Sequence, residues 1–402
     1  MGDIVAIGKF GRSMKFGRHL WKDGAGNNEP ATLFSALANS NPDNLYVVVG
    51  KSDLSRCKQE DYDYWFPHGN VIDAWKGFNS KEDNSLIYPY EQVKHLDFDY
   101  GIMNGGITSE INTENSFPKY NKKTKEVDED KIVKPLGMFA KGVGPILYFL
   151  NTTGIKWVNF TADARQFPIA AYDMFNTNLV TFATINKKAE VDKFKEYGKC
   201  EIVKVEEEAV YGATECLCLL DPMYEGKSYV GGKRDIKVGL FFHKYRDKKR
   251  IKALREYIDI FDEEDIFIFG KWEDELEAED SKFKGSKTFD EMQEILPTIK
   301  YTLCYPITPG DISAKWIESI RAGIIPFFDK NYDKDRILID KYDIPEFLYT
   351  SNPLAFKNKI EYLESNPKEY EKIAKKLKNI HDDIASNLID DYNEMIKKVI
   401  KK

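Results

Sequence analysis

Short apolar runs alternate along the chain with segments whose apolar residues recur every three or four positions. That alternation predicts parallel strands separated by helices. In the first half, residues 3–7, 45–49, 100–103 and 156–159 read as strands, and 179–184 and 201–205 add two more. A helix near 30–38 fits between the first two, and residues 142–151 read as a helix that Gly154 ends. A second series runs strand 237–242, helix 247–257, strand 266–270, helix 288–296 and strand 301–305. The stretch DISAKWIESIRAGIIPFFD (311–329) closes it, with a helix that stops at Ala322-Gly323 and a buried strand from Ile324 to Phe328. From 367 to 402, Ile373, Leu377, Ile380, Ile384, Leu388, Met395 and Val399 keep helical spacing. Residues 53–99 and 113–134 fit the alternation poorly, and the charge run NKKTKEVDEDK (121–131) reads as a solvated loop.

Length and composition sharpen this outline. At 402 residues the chain is long enough for two domains, and the glycine-bearing link YVGGKR (229–234) marks a boundary. Hydrophobic content of 42% excludes a disordered protein and supports sizeable cores. No apolar run reaches membrane-spanning length, and the apolar part of the N-terminus is too short for a signal peptide. Five cysteines (Cys57, Cys200, Cys216, Cys218, Cys304) lack zinc spacing, so a reduced, cytoplasmic protein is expected. The net charge of −7 argues against a uniformly basic nucleic-acid binder and leaves room for a local basic face.

Parallel α/β sheets bind ligands beyond the C-terminal ends of their strands, so the loops leaving those strands carry the candidate chemistry. GKFGRSMKFGRH (8–19) follows the first strand and bears Lys9, Arg12, Lys15 and Arg18. Its glycines and cations suit phosphates, but the spacing matches neither a dinucleotide fingerprint nor a Walker loop, and a flexible basic lip is expected. FTADARQFP (160–168) follows the fourth strand. Asp163 there can act as a general base or cap the next helix, with Arg165 two residues on. Arg246 and Arg250 stand four apart at a helix start, where they can converge on an anion or form a solvated basic face. Lys315 and Glu318 stand three apart on one helix face, as a surface ion pair or as a grip on phosphate and ribose.

In this order, the segments resemble the two-domain GT-B nucleotide-sugar glycosyltransferases, and within them the phage DNA β-glucosyltransferases. NEPATLF (28–34) resembles the family's first helix, whose acidic residue faces the active site, which maps to Glu29. TADARQFP (161–168) resembles its Thr-Asp-x-Arg-x-Pro segment, with extra residues on both sides of Asp163-Ala-Arg165. Tyr245-Arg246 with Arg250 resembles its Phe-Arg-x-x-x-Arg diphosphate clamp. Lys315-Trp316-Ile317-Glu318 resembles its Arg-x-x-Glu segment, with lysine in place of arginine. Gly270 and the region 285–292, with Thr288, also fit the donor side.

The resemblance implies two Rossmann-like parallel-sheet domains facing a central cleft. The acceptor-side domain would span 1–228 and the nucleotide-sugar domain 229–384, with a terminal helix, about 385–402, packing back on the first. It implies an inverting transfer of a sugar, glucose by default, from a UDP-sugar to a hydroxymethylated pyrimidine of double-stranded phage DNA, by a monomer in the host cytoplasm. Asp163, or Glu29, would be the base; Arg246, Arg250, Lys315, Glu318, Gly270 and Thr288 would hold the donor; Arg165, Lys9, Arg12, Lys15 and Arg18 would meet the acceptor. Retaining GT-B enzymes often carry two spaced glutamates, but here Asp311 precedes Glu318 one residue too close. Mg2+ or Mn2+ would aid product release, although no Asp-x-Asp motif stands in the donor half. A GT-B enzyme acting on a polysaccharide or small molecule, and a non-catalytic sugar-nucleotide or nucleic-acid binder, remain open alternatives.

Overall fold

The computed structural model describes residues 2–9, 14–17, 29–84, 87–104, 149, 152–161, 179–183, 233–241, 248–270, 281–306, 309–310 and 312–401. Most of the expected 142–151 helix, the 201–205 strand, the 121–131 charge run, and Arg12, Arg18, Asp163, Arg165 and Arg246 lie outside the described residues. The chain divides into two compact units: the first gathers the N-terminal sheet and Leu388–Lys402, and the second gathers Met223–Asn387.

In the first unit, β1 (Ile4–Lys9), β2 (Leu45–Val48), β3 (Asn70–Asp73), β4 (Tyr100–Asn104), β5 (Lys156–Thr161) and β6 (Leu179–Ala183) form one parallel sheet in the order β3-β2-β1-β4-β5-β6. Its central strands are apolar on both faces, and Val5, Ile7, Ile102, Val158 and Phe160 are fully buried. Helix α1 (Glu29–Ser40) connects β1 to β2. The segment 53–99 is part of this architecture, contrary to its poor fit to the alternation. It supplies edge strand β3 and helices α2 (Gln59–Trp65) and α3 (Tyr88–Val93). The edge position explains the weak signal, because β3 buries Val71 while Ile72 is 40% exposed, so no continuous apolar run marks it.

Gly101 shows how tightly this core is set. A Cβ there would lie 2.3 Å from the indole of Trp157 on the neighbouring strand. Gly101→Ala is therefore expected to destabilise the protein by about 1–3 kcal/mol, measured by denaturant unfolding. An unchanged midpoint would show that Trp157 swings aside at no cost.

The second unit holds β7 (Ile236–Phe241), β8 (Ile266–Phe269), β9 (Ile299–Cys304), β10 (Ile325–Asp329) and β11 (Tyr349–Thr350), all parallel, in the order β11-β10-β9-β7-β8. Its helices are α4 (Lys248–Asp259), α5 (Phe289–Ile295), α6 (Lys315–Arg321), α7 (Ile337–Tyr342) and α8 (Pro353–Ser365). β10 is buried at every position, as a central parallel strand must be.

A single 34-residue helix, α9 (Pro367–Ile400), ends the described chain. Its last turns complete the first unit: Tyr392 is fully buried with its ring 4.9 Å from that of Phe160, and Asn41 Nδ2 donates to Asn393 Oδ1 at 3.1 Å. Among the described residues, no helix is long and apolar enough to cross a membrane.

Candidate functional site

Each sheet reverses its strand order once. In the first unit the chain adds β2 and β3 on one side of β1 and then places β4 on the other. In the second it adds β8 beside β7 and then crosses to β9. Helix connections leave such a reversal in opposite directions, which opens a crevice beyond the C-terminal ends of the two strands. The β7/β9 and β1/β4 ends are thus where ligands are expected on topology alone.

Three of the expected donor-side residues meet at the β7/β9 end. Arg250, on the first turn of α4, is buried, and its Nε donates to the carbonyl of Pro306 just past β9 at 3.1 Å. Its guanidinium carbon lies 5.9 Å from the centre of the Tyr305 ring. Lys315 opens α6, and its Nζ donates to the carbonyl of Phe241, the last residue of β7. Glu318 follows one turn later, half-buried on the same helix.

These groups act on one another. Burial pulls the Lys315 ammonium down from 10.5 to about 7; Cys304 and Glu318 oppose the shift, and the Arg250 charge adds to it. Cys304, fully buried at the end of β9, has its thiol pushed up to about 12 by burial, against the pull of Lys315. The Arg250 and Lys315 charges therefore oppose one another at this end of the sheet. A multiply charged anion would relieve that arrangement, and a solvated basic helix would not create it.

Local packing sets the geometry. Trp316, Ile317 and Ile320 bury the inner face of α6, which leaves Lys315 and Glu318 on its other side. The approach to α6 is pinned by Tyr332, which accepts from Ser313 N at 2.9 Å and donates to Ser313 O at 2.6 Å. Neither this tyrosine nor the Phe241 carbonyl carries a sequence signal; strand order alone brings them in.

Two further residues expected on the donor side, Gly270 and Thr288, are engaged structurally. Gly270, at the end of β8, has φ +136°, a conformation that calls for glycine, and its N–H donates to Gly285 O at 3.0 Å. Thr288 caps α5 reciprocally with Glu291: its Oγ1 accepts from Glu291 N at 3.3 Å, and its N–H donates to Glu291 Oε2 at 2.7 Å.

In the first unit, Lys9 is the last residue of β1 and Glu29 the first of α1, so both bracket the loop at the β1/β4 reversal. Lys15 sits in a segment that is anchored, where a flexible lip was expected. Met14 N donates to Lys51 O at 2.9 Å, and the Asp53 carboxylate accepts from Phe16 N at 2.6 Å and Gly17 N at 3.2 Å. Trp65 Nε1 donates to Phe16 O at 2.6 Å, and the Phe16 ring is fully buried. Glycine and lysine content suggested mobility; the buried Phe16 and Asp53 override it.

Together, two all-parallel α/β units with a reversal in each define the GT-B architecture. Solved structures bear this out over nearly the whole chain, at identities that speak for the fold. The DNA-modifying enzyme beta-glucosyltransferase is 12% identical with a TM-score of 0.60, covering 99% of this chain and 100% of that one. T4 phage BGT in complex with UDP and Mn2+ is 13% identical with a TM-score of 0.54, covering 99% and 100%. Anabaena HepE in complex with UDP is 10% identical with a TM-score of 0.50, covering 98% and 100%. No protein-family model matches the chain, and no curated protein sequence matches it.

Proposed function

We propose that this protein is an inverting, UDP-sugar-dependent glycosyltransferase whose acceptor is a hydroxymethylated pyrimidine in duplex DNA, with glucose as the transferred sugar. The observation that carries the donor half is the convergence of Arg250, Lys315 and Glu318 at the β7/β9 reversal. The acceptor half draws support from full-length fold likeness to a DNA-modifying enzyme.

In this reading Asp163 takes the proton of the acceptor hydroxyl while that oxygen attacks the anomeric carbon. The bond to UDP breaks with its electron pair going to the diphosphate, whose charge meets Arg246, Arg250 and Lys315. Glu318 accepts from the ribose hydroxyls, Gly270 lines the donor side, Thr288 lies near the uracil, and Glu29 orients the donor sugar or serves as the base itself. The target base must leave the stack to reach Asp163, with Lys9, Arg12, Lys15, Arg18 and Arg165 meeting the DNA. A divalent cation would supply charge neutralisation at the diphosphate. Among the described residues no group of three or more His, Cys, Asp or Glu side chains could hold one, so no step is routed through it.

UDP affinity should depend on pH with a defined sign. The ammonium form of Lys315 binds phosphate, and in the free protein it is lost as pH rises through about 7. UDP should therefore bind most tightly below that value and progressively less tightly above it, with proton uptake on binding. Calorimetry in buffers of different ionisation enthalpy measures both, and a flat profile from pH 6.5 to 9 would remove Lys315 from the diphosphate.

The reading as a whole is tested by incubating the protein with hydroxymethylated duplex DNA and a panel of UDP-linked hexoses and pentoses, followed by nucleoside mass analysis. A glycosylated pyrimidine nucleoside is expected. Transfer only to a glycan or small-molecule acceptor would establish the rival GT-B activity, which the net charge of −7 favours.

A further inference from the structure

On β5, Trp157 and Asn159 are two residues apart and so face the same side of the sheet, ~7 Å from each other along the strand. Both side chains are fully buried. Trp157 Nε1 and both polar atoms of Asn159, Oδ1 and Nδ2, have no hydrogen-bond partner. Three unsatisfied polar atoms thus stand on one face of one strand. Phe149 packs edge-on against the Trp157 ring at 6.1 Å, and Gly101 makes room for the indole. Asn159 lies one step further toward the C-terminal end, in register with Met103 on one side and Thr181 on the other. It stands four residues before Asp163.

On its own face of the sheet Asn159 adjoins Trp157 along β5 and the register positions Met103 and Thr181, and no side chain there bonds its amide. Leucine has a similar size and would fill the position without stranding a donor and an acceptor. A buried amide with neither end satisfied is a defect in the free protein, and such a defect is tolerated where a bound group supplies the missing bonds. We propose that Asn159 recognises the acceptor, its amide pairing with a planar polar edge that sets a donor beside an acceptor, as a pyrimidine ring does. The inference rests on the pyrimidine-acceptor reading above. Oδ1 can accept from a ring N–H or exocyclic amine while Nδ2 donates to the adjacent carbonyl or ring nitrogen. Trp157 Nε1, a donor only, is available to a second acceptor atom or to a water beside it.

Asn159→Leu and Asn159→Ala test this against the wild type, with hydroxymethylated duplex DNA and UDP-glucose as substrates. For both variants, the UDP Kd should stay within about twofold, while KM for the duplex rises at least about tenfold and kcat falls less. Asn159→Leu should melt at or above the wild-type Tm. Folded variants with the wild-type KM would overturn the inference and leave the glycosyltransferase reading standing, since a buried water would then satisfy the amide. Loss of folding in both variants would also overturn it, because the amide would then be structural. A wild type that binds UDP but modifies no hydroxymethylated duplex fails at the earlier step and takes both readings with it.

Discussion

Asp163→Ala is expected to lower sugar transfer by about 10²–10⁴-fold while leaving the UDP Kd within about threefold of wild type. A general base acts on the proton that moves as the new bond forms, so its loss appears in kcat and in kcat/KM alike. In the proposed function the nucleotide is held by the other unit, where Arg250 and Lys315 meet the β7/β9 reversal. Single-turnover rates with hydroxymethylated DNA, alongside UDP calorimetry, separate the two. A variant that keeps its turnover would shift the role of base to Glu29 and make Asp163 a helix cap. A protein that only binds sugar nucleotides would show no turnover to lose.

The second large effect falls on Lys315→Met, expected to weaken UDP binding by about 10–100-fold, as loss of a charge-assisted contact in a partly buried site does. Stability should move the other way at low pH. Burial holds the Lys315 pKa at about 7, below its ordinary value of 10.5, so the folded protein bears the cost of a buried ammonium fully below about 7. Between 7 and 10.5 the unfolded chain binds the extra proton, so wild-type stability rises with pH across that window. Methionine abolishes this slope and should raise the Tm most at pH 6. Lys315→Arg should keep UDP affinity within about tenfold and lose the pH dependence of binding, since a guanidinium stays charged throughout. A Lys315→Met variant with wild-type affinity would return this residue to a structural bond with Phe241.

The grouping at the β7/β9 end was legible because its determinants are local. Arg250, Lys315 and Glu318 sit at helix starts that follow apolar strands, and both features are written into short spacings. The strand alternation of β7, β9 and β10 was visible for the same reason, since strands buried on both faces are continuous apolar runs. Edge strand β3 was not, because a half-solvated strand of four residues has too little pattern. The anchoring of Phe16 was hidden as well. It depends on Asp53, 37 residues away, and on the indole of Trp65, 49 away, and no spacing rule couples such positions. Asn159 escaped notice because one polar residue in a strand reads as a solvent-facing position until the sheet is seen to cover it.

The route of α9 has a consequence for biosynthesis. Tyr392 and Asn393 seal Phe160 and Asn41, positions made more than 200 residues earlier. On the ribosome the second unit's five strands can therefore close while the first still lacks its final wall. The N-terminal sheet must wait, apolar surface uncovered, for the last turns of α9 to emerge, and that interval is when chaperone capture or aggregation would act on it.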